Sequence, residues 1–473
     1  MVKKFNKSIF IFHRDLRLED NTALIKALEL SSSVLPIFIF TPTQIDPYIN
    51  HYRSNNAVQF MIESLNDLNK QLDAKQTRLF TFLGNDLEIL EALFNDKAGI
   101  GKYDAVFYNK DVTPYAKERD SKINQFCKNK KIECCEYEDY SLQPIGSVLT
   151  GSGEPYKIFT PFYKRAKEMT VRKPEKNLYK NYLQKKELFD FELELDKANT
   201  FYKSNHLIEV KGGRTEALKK LKNLNEKFKD YNKKRDIPSA AETTRLSAYN
   251  KFGNVSIREV FWAFKEQLDK TNLLIQQLYW RDFYMNMIWF FPHYTLSVTN
   301  PKFNNIKWLN NPTFLQRWKD GKTGYPIVDA AMTQMNTTGF MENRCRMIVA
   351  SFLTFNLCIN WEEGEKYFSQ SLVDIALPQN LGNWKWVAGI ESYSNPYFRI
   401  MSPVSQAERF DPKALYIKKW LPQLKDILAQ DLIDWESNYR KYDLKAIDYY
   451  EPIVNSKETR KEAIERYKKS ATS

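Results

Sequence analysis

Histidine is scarce: His13, His51, His206 and His293 are the only four in 473 residues. Histidine-based metal sites and nucleophile–base triads therefore have few candidates. Five cysteines, at 127, 134, 135, 345 and 358, form no C-x-x-C pair and no Cys/His cluster of zinc-ligand spacing. Their odd number and irregular spacing give no disulfide framework, which points to a reducing compartment. No stretch holds the ~20 consecutive apolar residues of a membrane span. The apolar run near the basic N-terminus is too short for a secretory signal. These absences lead to an expectation of a cytosolic or nuclear protein. There is no Walker-type phosphate loop, no G-x-S-x-G elbow and no H-E-x-x-H helix. Gly151-Ser152-Gly153 is followed by Pro155 and opens no helix, so it fails as a dinucleotide fingerprint on context. No repeat and no low-complexity tail is visible.

Two things are abundant. Aromatic residues make up 14% of the chain and include 10 Trp. Core packing can account for that, and so can a surface that stacks on a flat heterocycle. Basic residues outnumber acidic ones, for a formal net charge of +13. Such a balance suits a polyanionic partner, nucleic acid above all. A Lys- and Asn-rich codon bias would produce it too.

Short apolar runs alternate with amphipathic stretches in the first part of the chain. Strand-like runs cover 8–12, 33–41, 77–83 and 104–108, and helix-like ones cover 21–30, 52–72 and 86–94. This alternation predicts a doubly wound α/β domain over 1–138. Residues 139–204 read as a connector. From 205 to 473 the pattern is helical almost throughout, so the second domain is expected to be all-α. The charged stretch 457–469 reads as a solvated helix face, with DNA contact as the other reading.

Three segments carry chemistry. Glu242–Ser247 (ETTRLS) places hydroxyls, backbone N–H groups and one Arg before a helix, which makes either an anion cradle or an ordinary N-cap. In Gly339–Met347 (GFMENRCRM), Asn343, Arg346 and Met347 fall at i, i+3 and i+4 on one helical face. An amide, a guanidinium and a thioether could line a pocket for a planar hydrogen-bonding heterocycle, or sit on a salt-bridged surface. The stretch 372–389 (LVDIALPQNLGNWKWVAG) crowds an acid, an amide, glycines and two Trp together. Trp280, Trp308, Trp318 and Trp361 lie in the same half of the chain.

At these residues the sequence resembles the photolyase/cryptochrome family, and within it the class I cyclobutane-dimer photolyases. The resemblance runs over nearly the whole chain, through RDLRLEDN (14–21), YKIFTPF (156–162), RDIP (235–238), TTRLS (243–247), YWRDFY (279–284), GKTGYPIVDAA (321–331), NRCRM (343–347), GNWKW (382–386) and PYFRI (396–400). It implies an α/β N-terminal domain and a helical domain that holds FAD non-covalently. Matching positions place Tyr231, Thr243, Thr244, Arg245, Leu246 and Ser247 at the flavin, the hydroxyls and Arg245 around its phosphates. Arg281, Asn343, Arg346, Asp374, Ala376 and Asn380 would line the rest, with Arg346 and Asp374 ion-paired and Asn380 beside the flavin's N5 atom. Trp384, Trp361 and Trp308 match a chain that carries electrons to the flavin. Trp280 and Trp386 match walls around a flipped lesion, and Gln277, Asn343 and Met347 match lesion contacts. Arg235, Arg344, Arg399 and Gln406 match positions near the DNA backbone.

What the resemblance implies is a carbon–carbon lyase that repairs cyclobutane pyrimidine dimers with light, acting as a monomer on damaged DNA and needing neither membrane nor metal. The (6-4) enzymes carry His at positions 343 and 347, and this chain does not. The chain departs from the pattern in three places. Gln277 replaces the usual Glu, Ala376 replaces a common Asp, and Tyr115 and Ala116 replace the Asn-Glu pair of folate-binding relatives. The first two favour a rival reading as a photoreceptor without repair. The third leaves a folate, a deazaflavin, a second flavin or no antenna pigment open.

Overall fold

The computed structural model describes residues 3–95, 102–184, 189–295, 300–391 and 399–472. The chain forms two compact units. One comprises 1–205, 210–229 and 244–292; the other comprises 206–209, 230–243 and 293–473. This partition groups the helices up to Pro292 with the sheet, whereas the sequence pattern divides the chain at 138 and 204.

In the first unit, five strands form one parallel sheet in the order β3-β2-β1-β4-β5. They are Phe5–Phe12 (β1), Ser31–Phe40 (β2), Phe80–Leu83 (β3), Ala105–Asn109 (β4) and Glu133–Tyr137 (β5). β1 pairs with β2 and with β4, so Ile9 lies between Leu35 and Val106. The central strands are runs of Ile, Phe and Val because helices cover both faces of such a sheet. Ile9, Ile11, Ile37 and Val106 are fully buried. Crossover helices follow: Thr22–Leu30, capped by the Asn21 side chain, then Asn55–Asp73, capped by Ser54, then Asp86–Phe94 and Pro114–Lys130. Later segments of this unit include the helices Phe159–Ala166, Ser247–Phe252, Ile257–Gln267 and Leu274–Phe290. The Ile257 helix opens with a capping box between Ser256 and Glu259.

The second unit is helical, as expected from its sequence. Its core gathers Trp318, Met332, Met335, Phe352, Leu353, Phe355, Trp361 and Trp384. Four helices build the region of the candidate site: Pro326–Thr338 packs against Asn343–Ser351, which lines the site together with Trp361–Ser371 and Leu377–Val387. Asn360 caps the third through Glu362 N at 3.2 Å, and Pro378 occupies the first turn of the fourth. A single π-turn, Phe352–Asn356, follows the second, the kind of helical irregularity that recurs near functional sites. Among the described residues, no helix is long and apolar enough to cross a membrane.

Candidate functional site

Within the helical unit, one cleft with about 110 Å³ of open volume is lined by Asn343, Arg346, Met347, Asp374, Ala376, Asn380 and Trp384. Six of its other lining residues are Ala350, Phe368, Ile375, Gln379, Asn383 and Val387. The i, i+3, i+4 face expected for Asn343, Arg346 and Met347 is therefore the cleft-facing side of a helix. Asn343 Nδ2 lies 3.7 Å from Met347 Sδ, so amide and thioether sit together.

Arg346 is fixed from two sides. Its Nη2 lies 3.1 and 2.9 Å from the two Asp374 oxygens, and its Nε donates to Met341 O at 2.8 Å. The Asp374 side chain is only 4% exposed and that of Arg346 is 23% exposed, so the guanidinium keeps an open edge. Ala376 is the N-cap of the Leu377–Val387 helix, and its carbonyl accepts from Asn380 N at 3.0 Å. Asn380 is 6% exposed. Its Nδ2 donates to Glu365 Oε1 at 2.6 Å, to Glu365 O at 3.3 Å and to Ser369 Oγ at 3.1 Å. Burial raises the Glu365 carboxyl above the usual range, against the opposing hydrogen bonds from Ser369 and Asn380.

Trp384 and Trp386 sit two residues apart on one helix and so leave it on different sides. Trp384 is buried; Trp386 is half-buried against the core. The Trp384 ring packs on Phe368 at 5.0 Å and on Trp318 at 6.5 Å, both edge-to-face. Gly364 makes that packing attainable, because a Cβ there would lie 2.2 Å from Trp384 Cη2 and 2.5 Å from Leu353 Cδ2. Trp361 and Trp308 belong to the same core but do not line the cleft; Trp361 is buried and Trp308 half-buried. Lys385 lies fully buried beside Trp361, 5.7 Å from its ring centre, and is hydrogen-bonded to Tyr294 O. Burial pulls its ammonium down to about 8, and Glu391 and Glu362 oppose that only in part.

The remaining residues lie elsewhere. Thr243 belongs to the helical unit and donates to Glu342 Oε2 at 3.2 Å, whereas Thr244, Arg245, Leu246 and Ser247 belong to the sheet-bearing unit. Arg245 has a left-handed backbone (φ 53°), Leu246 is buried and Ser247 is exposed. The N-cap of the short helix that follows is Leu246, without a side-chain cap bond. Tyr231 is buried with the Arg235 guanidinium 5.8 Å from its ring. Asp236 pairs with Arg344 at 3.0 Å and lies 3.9 Å from Arg235. Arg344 also lies over Phe410 at 4.3 Å. Gln406 is half-buried and Arg399 exposed; residues 396–398 of the PYFRI motif lie outside the described residues.

In the sheet-bearing unit, Gln277 Nε2 donates to Leu273 O at 3.4 Å. Arg281 donates to Tyr140 O and lies 3.4 Å from Asp282. Trp280 stacks face to face with Phe159, 3.5 Å between ring centres and 9° between planes. Sequence reasoning did not single out Glu365, Ser369, Asp236 or Phe159; only tertiary contact reveals them.

The cleft pairs apolar walls with a few convergent polar groups, the build of a small-molecule site. Arg346, Asn343 and Asn380 suit the polar edge of a flat heterocycle, and Ile375, Val387 and Trp384 suit its faces. A parallel α/β unit joined to a helical unit with such a cleft defines a cofactor-binding protein. Residues 274–469 match the family model for the FAD-binding domain of DNA photolyase, and residues 8–178 match that for DNA photolyase. The chain is 32% identical to the deoxyribodipyrimidine photo-lyase of Escherichia coli, over 96% of this chain and 97% of that one. A Sulfolobus tokodaii photolyase solved with two FAD molecules superposes with a TM-score of 0.86 at 36% identity, covering 98% of this chain and all of that one. A class III photolyase from Agrobacterium tumefaciens gives 0.89 at 26% identity, covering 100% and 99%. The chain belongs to the DNA photolyase family, and it is an FAD-binding enzyme of that family.

Among the described residues, no group of three or more His, Cys, Asp or Glu could hold a metal.

Proposed function

We propose that this enzyme repairs cyclobutane pyrimidine dimers in DNA with light. One observation carries the substrate choice: Asn343 and Met347 stand side by side at the cleft, where (6-4) repair would call for histidines. When bound and reduced, the flavin supplies the photoexcited electron that splits the dimer; the protein positions and tunes it. Arg346, held by Asp374, offers fixed positive charge to the flavin's polar edge, and Asn380 offers a neutral amide. A carboxylate at position 380 would repel negative charge there. Tyr231, Thr243–Ser247 and Arg281 complete the flavin set in this reading. Gln277, Trp280, Met347 and Trp386 receive the lesion. A dimer must leave the duplex to reach them, at a cost of a few kcal/mol that is lowest for a damaged pair. Trp280 enters that role already stacked on Phe159, as a braced wall. Arg235, Arg344, Arg399 and Gln406 serve the backbone, and the net charge of +13 draws DNA in. Trp384, Trp361 and Trp308 pass electrons inward from the surface.

The Sulfolobus relative's two FAD molecules extend the proposal to a second chromophore, for which the carboxyl edge between β1 and β4 is the switch point of the sheet. A photoreceptor without repair is the second reading, on Gln277 and on Ala376, which offers the cleft no side-chain acceptor. Competition binding separates them. Tightest binding to a duplex with one cyclobutane dimer supports repair of that lesion. Preference for a (6-4) product, or no preference over undamaged DNA, overturns it.

A further inference from the structure

Lys385 stands between Trp384 and Trp386 in the Leu377–Val387 helix, where GNWKWVAG reads as a surface charge between two rings. The structure buries it completely. Its Nζ lies 4.4 Å from the Tyr294 ring centre and 5.7 Å from that of Trp361, and it donates to Tyr294 O. Trp384, the preceding residue, does not share its side of the helix. The charges that act on the ammonium are Glu391 and Glu362. Glu391 is 6% exposed and accepts the Tyr294 hydroxyl at 2.6 Å, whereas Glu362 is exposed in the first turn of the Trp361–Ser371 helix. From the C-terminal helix, Ser456–Thr472, Tyr467 gives its hydroxyl to Ala388 O. A cation therefore sits in the core beside one ring of the three-Trp set, and dimer repair as described above makes no use of it.

We propose that Lys385 gates the electron relay: its ammonium makes an electron harder to remove from Trp361, and loss of its proton opens the relay. The inference rests on the reading above that Trp384, Trp361 and Trp308 pass electrons inward. In that reading one electron leaves Trp384, Trp361 refills Trp384, and Trp308 refills Trp361. An external thiol restores Trp308, giving up one electron and one proton and pairing as a disulfide. Trp361 is thus a radical cation midway through the sequence, and a neighbouring positive charge repels it. At an effective dielectric constant of ~20, a unit charge at this distance shifts the equilibrium for oxidising the ring by roughly 100-fold. The carboxylates of Glu391 and Glu362 offset part of that, so a shift of about tenfold is expected. The hop onto Trp361 competes with return of the electron to Trp384, so it is the hop that sets the yield. Burial disfavours the charged form of a lysine, which brings its proton loss within reach of mildly alkaline solution.

The test uses the full-length protein loaded with oxidised FAD, with dithiothreitol as the thiol, at pH values on either side of the Lys385 value of about 8. Under constant blue light, flavin reduction followed by absorbance should quicken severalfold in the wild type as pH rises through that value. Lys385→Met, uncharged throughout, should be fast and Lys385→Arg, charged throughout, slow, neither changing with pH. In the dark, the ¹³Cε resonance of Lys385, identified by its absence from the Lys385→Met protein, should titrate with the midpoint of the light reaction. Coincident wild-type and Lys385→Met profiles would overturn the gate. So would a Lys385→Arg protein as fast as Lys385→Met, or a resonance whose midpoint lies apart from that of reduction. Trp361→Phe separates these failures from failure of the relay. If that variant binds FAD and is photoreduced as the wild type is, relay and gate fall together; if it loses photoreduction while the Lys385 variants behave as wild type, the gate alone falls. Lys385→Met removes a buried charge and should fold at least as well as the wild type near neutral pH. The decision therefore stands on that variant and on the resonance even where the bulkier Arg does not fit.

Discussion

Replacing Asp374 by Asn keeps the shape of the cleft and removes one charge. The structure sets the size of the effect. Asp374 receives Arg346 Nη2 on both carboxylate oxygens and is 4% exposed, while Arg346 retains an open edge at 23%. Exposed pairs are worth ~0.2–1 kcal/mol, whereas removing one partner of a fully buried pair costs ~3–5 kcal/mol. With one buried partner and one half-open partner, and with an Asn oxygen still able to accept one bond, a loss of about 2 kcal/mol is expected. For a unit of this size that lowers the melting temperature by roughly 4–8 °C. The second consequence is specific to the site. Arg346 keeps its bond to Met341 O but loses the partner that aims its other nitrogens, so FAD affinity should fall about tenfold, the equivalent of ~1.4 kcal/mol. Thermal melts of the FAD-free protein and titration of its binding by quenching of flavin fluorescence measure the two effects separately. A variant that melts and binds FAD as the wild type does would refute the assignment of this pair to the cofactor site.

Gly364→Ala should destabilise the helical unit by ~1–3 kcal/mol or more, because the new methyl meets Trp384 and Leu353 in a filled core; urea unfolding measures it, and a shifted Trp384 fluorescence should accompany it. Lys385 gives a pH signature. Its folded value of about 8 lies below its ordinary 10.5, so the stability it contributes is complete only above the unfolded value and is lost as pH falls through 8. At ~1.36 kcal/mol per pH unit, the buried ammonium costs about 3 kcal/mol at neutral pH. The stability of Lys385→Met relative to wild type should therefore be highest near pH 7 and decline by that amount as pH approaches 10; a flat difference across paired urea titrations would contradict it. Arg399→Ala should weaken binding to damaged and undamaged DNA alike and flatten the log–log salt dependence by about 1; a loss confined to damaged DNA in salt-dependent binding isotherms would place Arg399 at the lesion instead.

Much of this was legible in the sequence where a periodicity or a spacing carries it. β1, β2 and β4 are Ile-, Phe- and Val-rich runs because both faces of the sheet are covered. β5 gives no such signal: Glu133–Tyr137 is an edge strand in which only Cys135 is buried, so its pattern reads as polar. The 3.6-residue period brought Asn343, Arg346 and Met347 to one face, and the cleft is where that face looks. Contacts between distant segments leave no such trace. Nothing in the sequence shows that Phe159 lies flat on Trp280, that Glu365 grips Asn380, or that Asp236 sits against both Arg235 and Arg344. Those arrangements depend on helix packing, which sets distances that spacing along the chain does not encode.

Repair itself is the most direct test. Reduced, FAD-loaded protein is mixed with an oligonucleotide carrying one cis-syn thymine dimer, and restored thymines are counted after blue or near-UV illumination and after an equal time in the dark. Restoration in the light and none in the dark is the expected result, and it would show that Gln277 and Ala376 are compatible with repair. No restoration in either arm, with FAD bound and reduced, would contradict the repair reading and favour a light-sensing role.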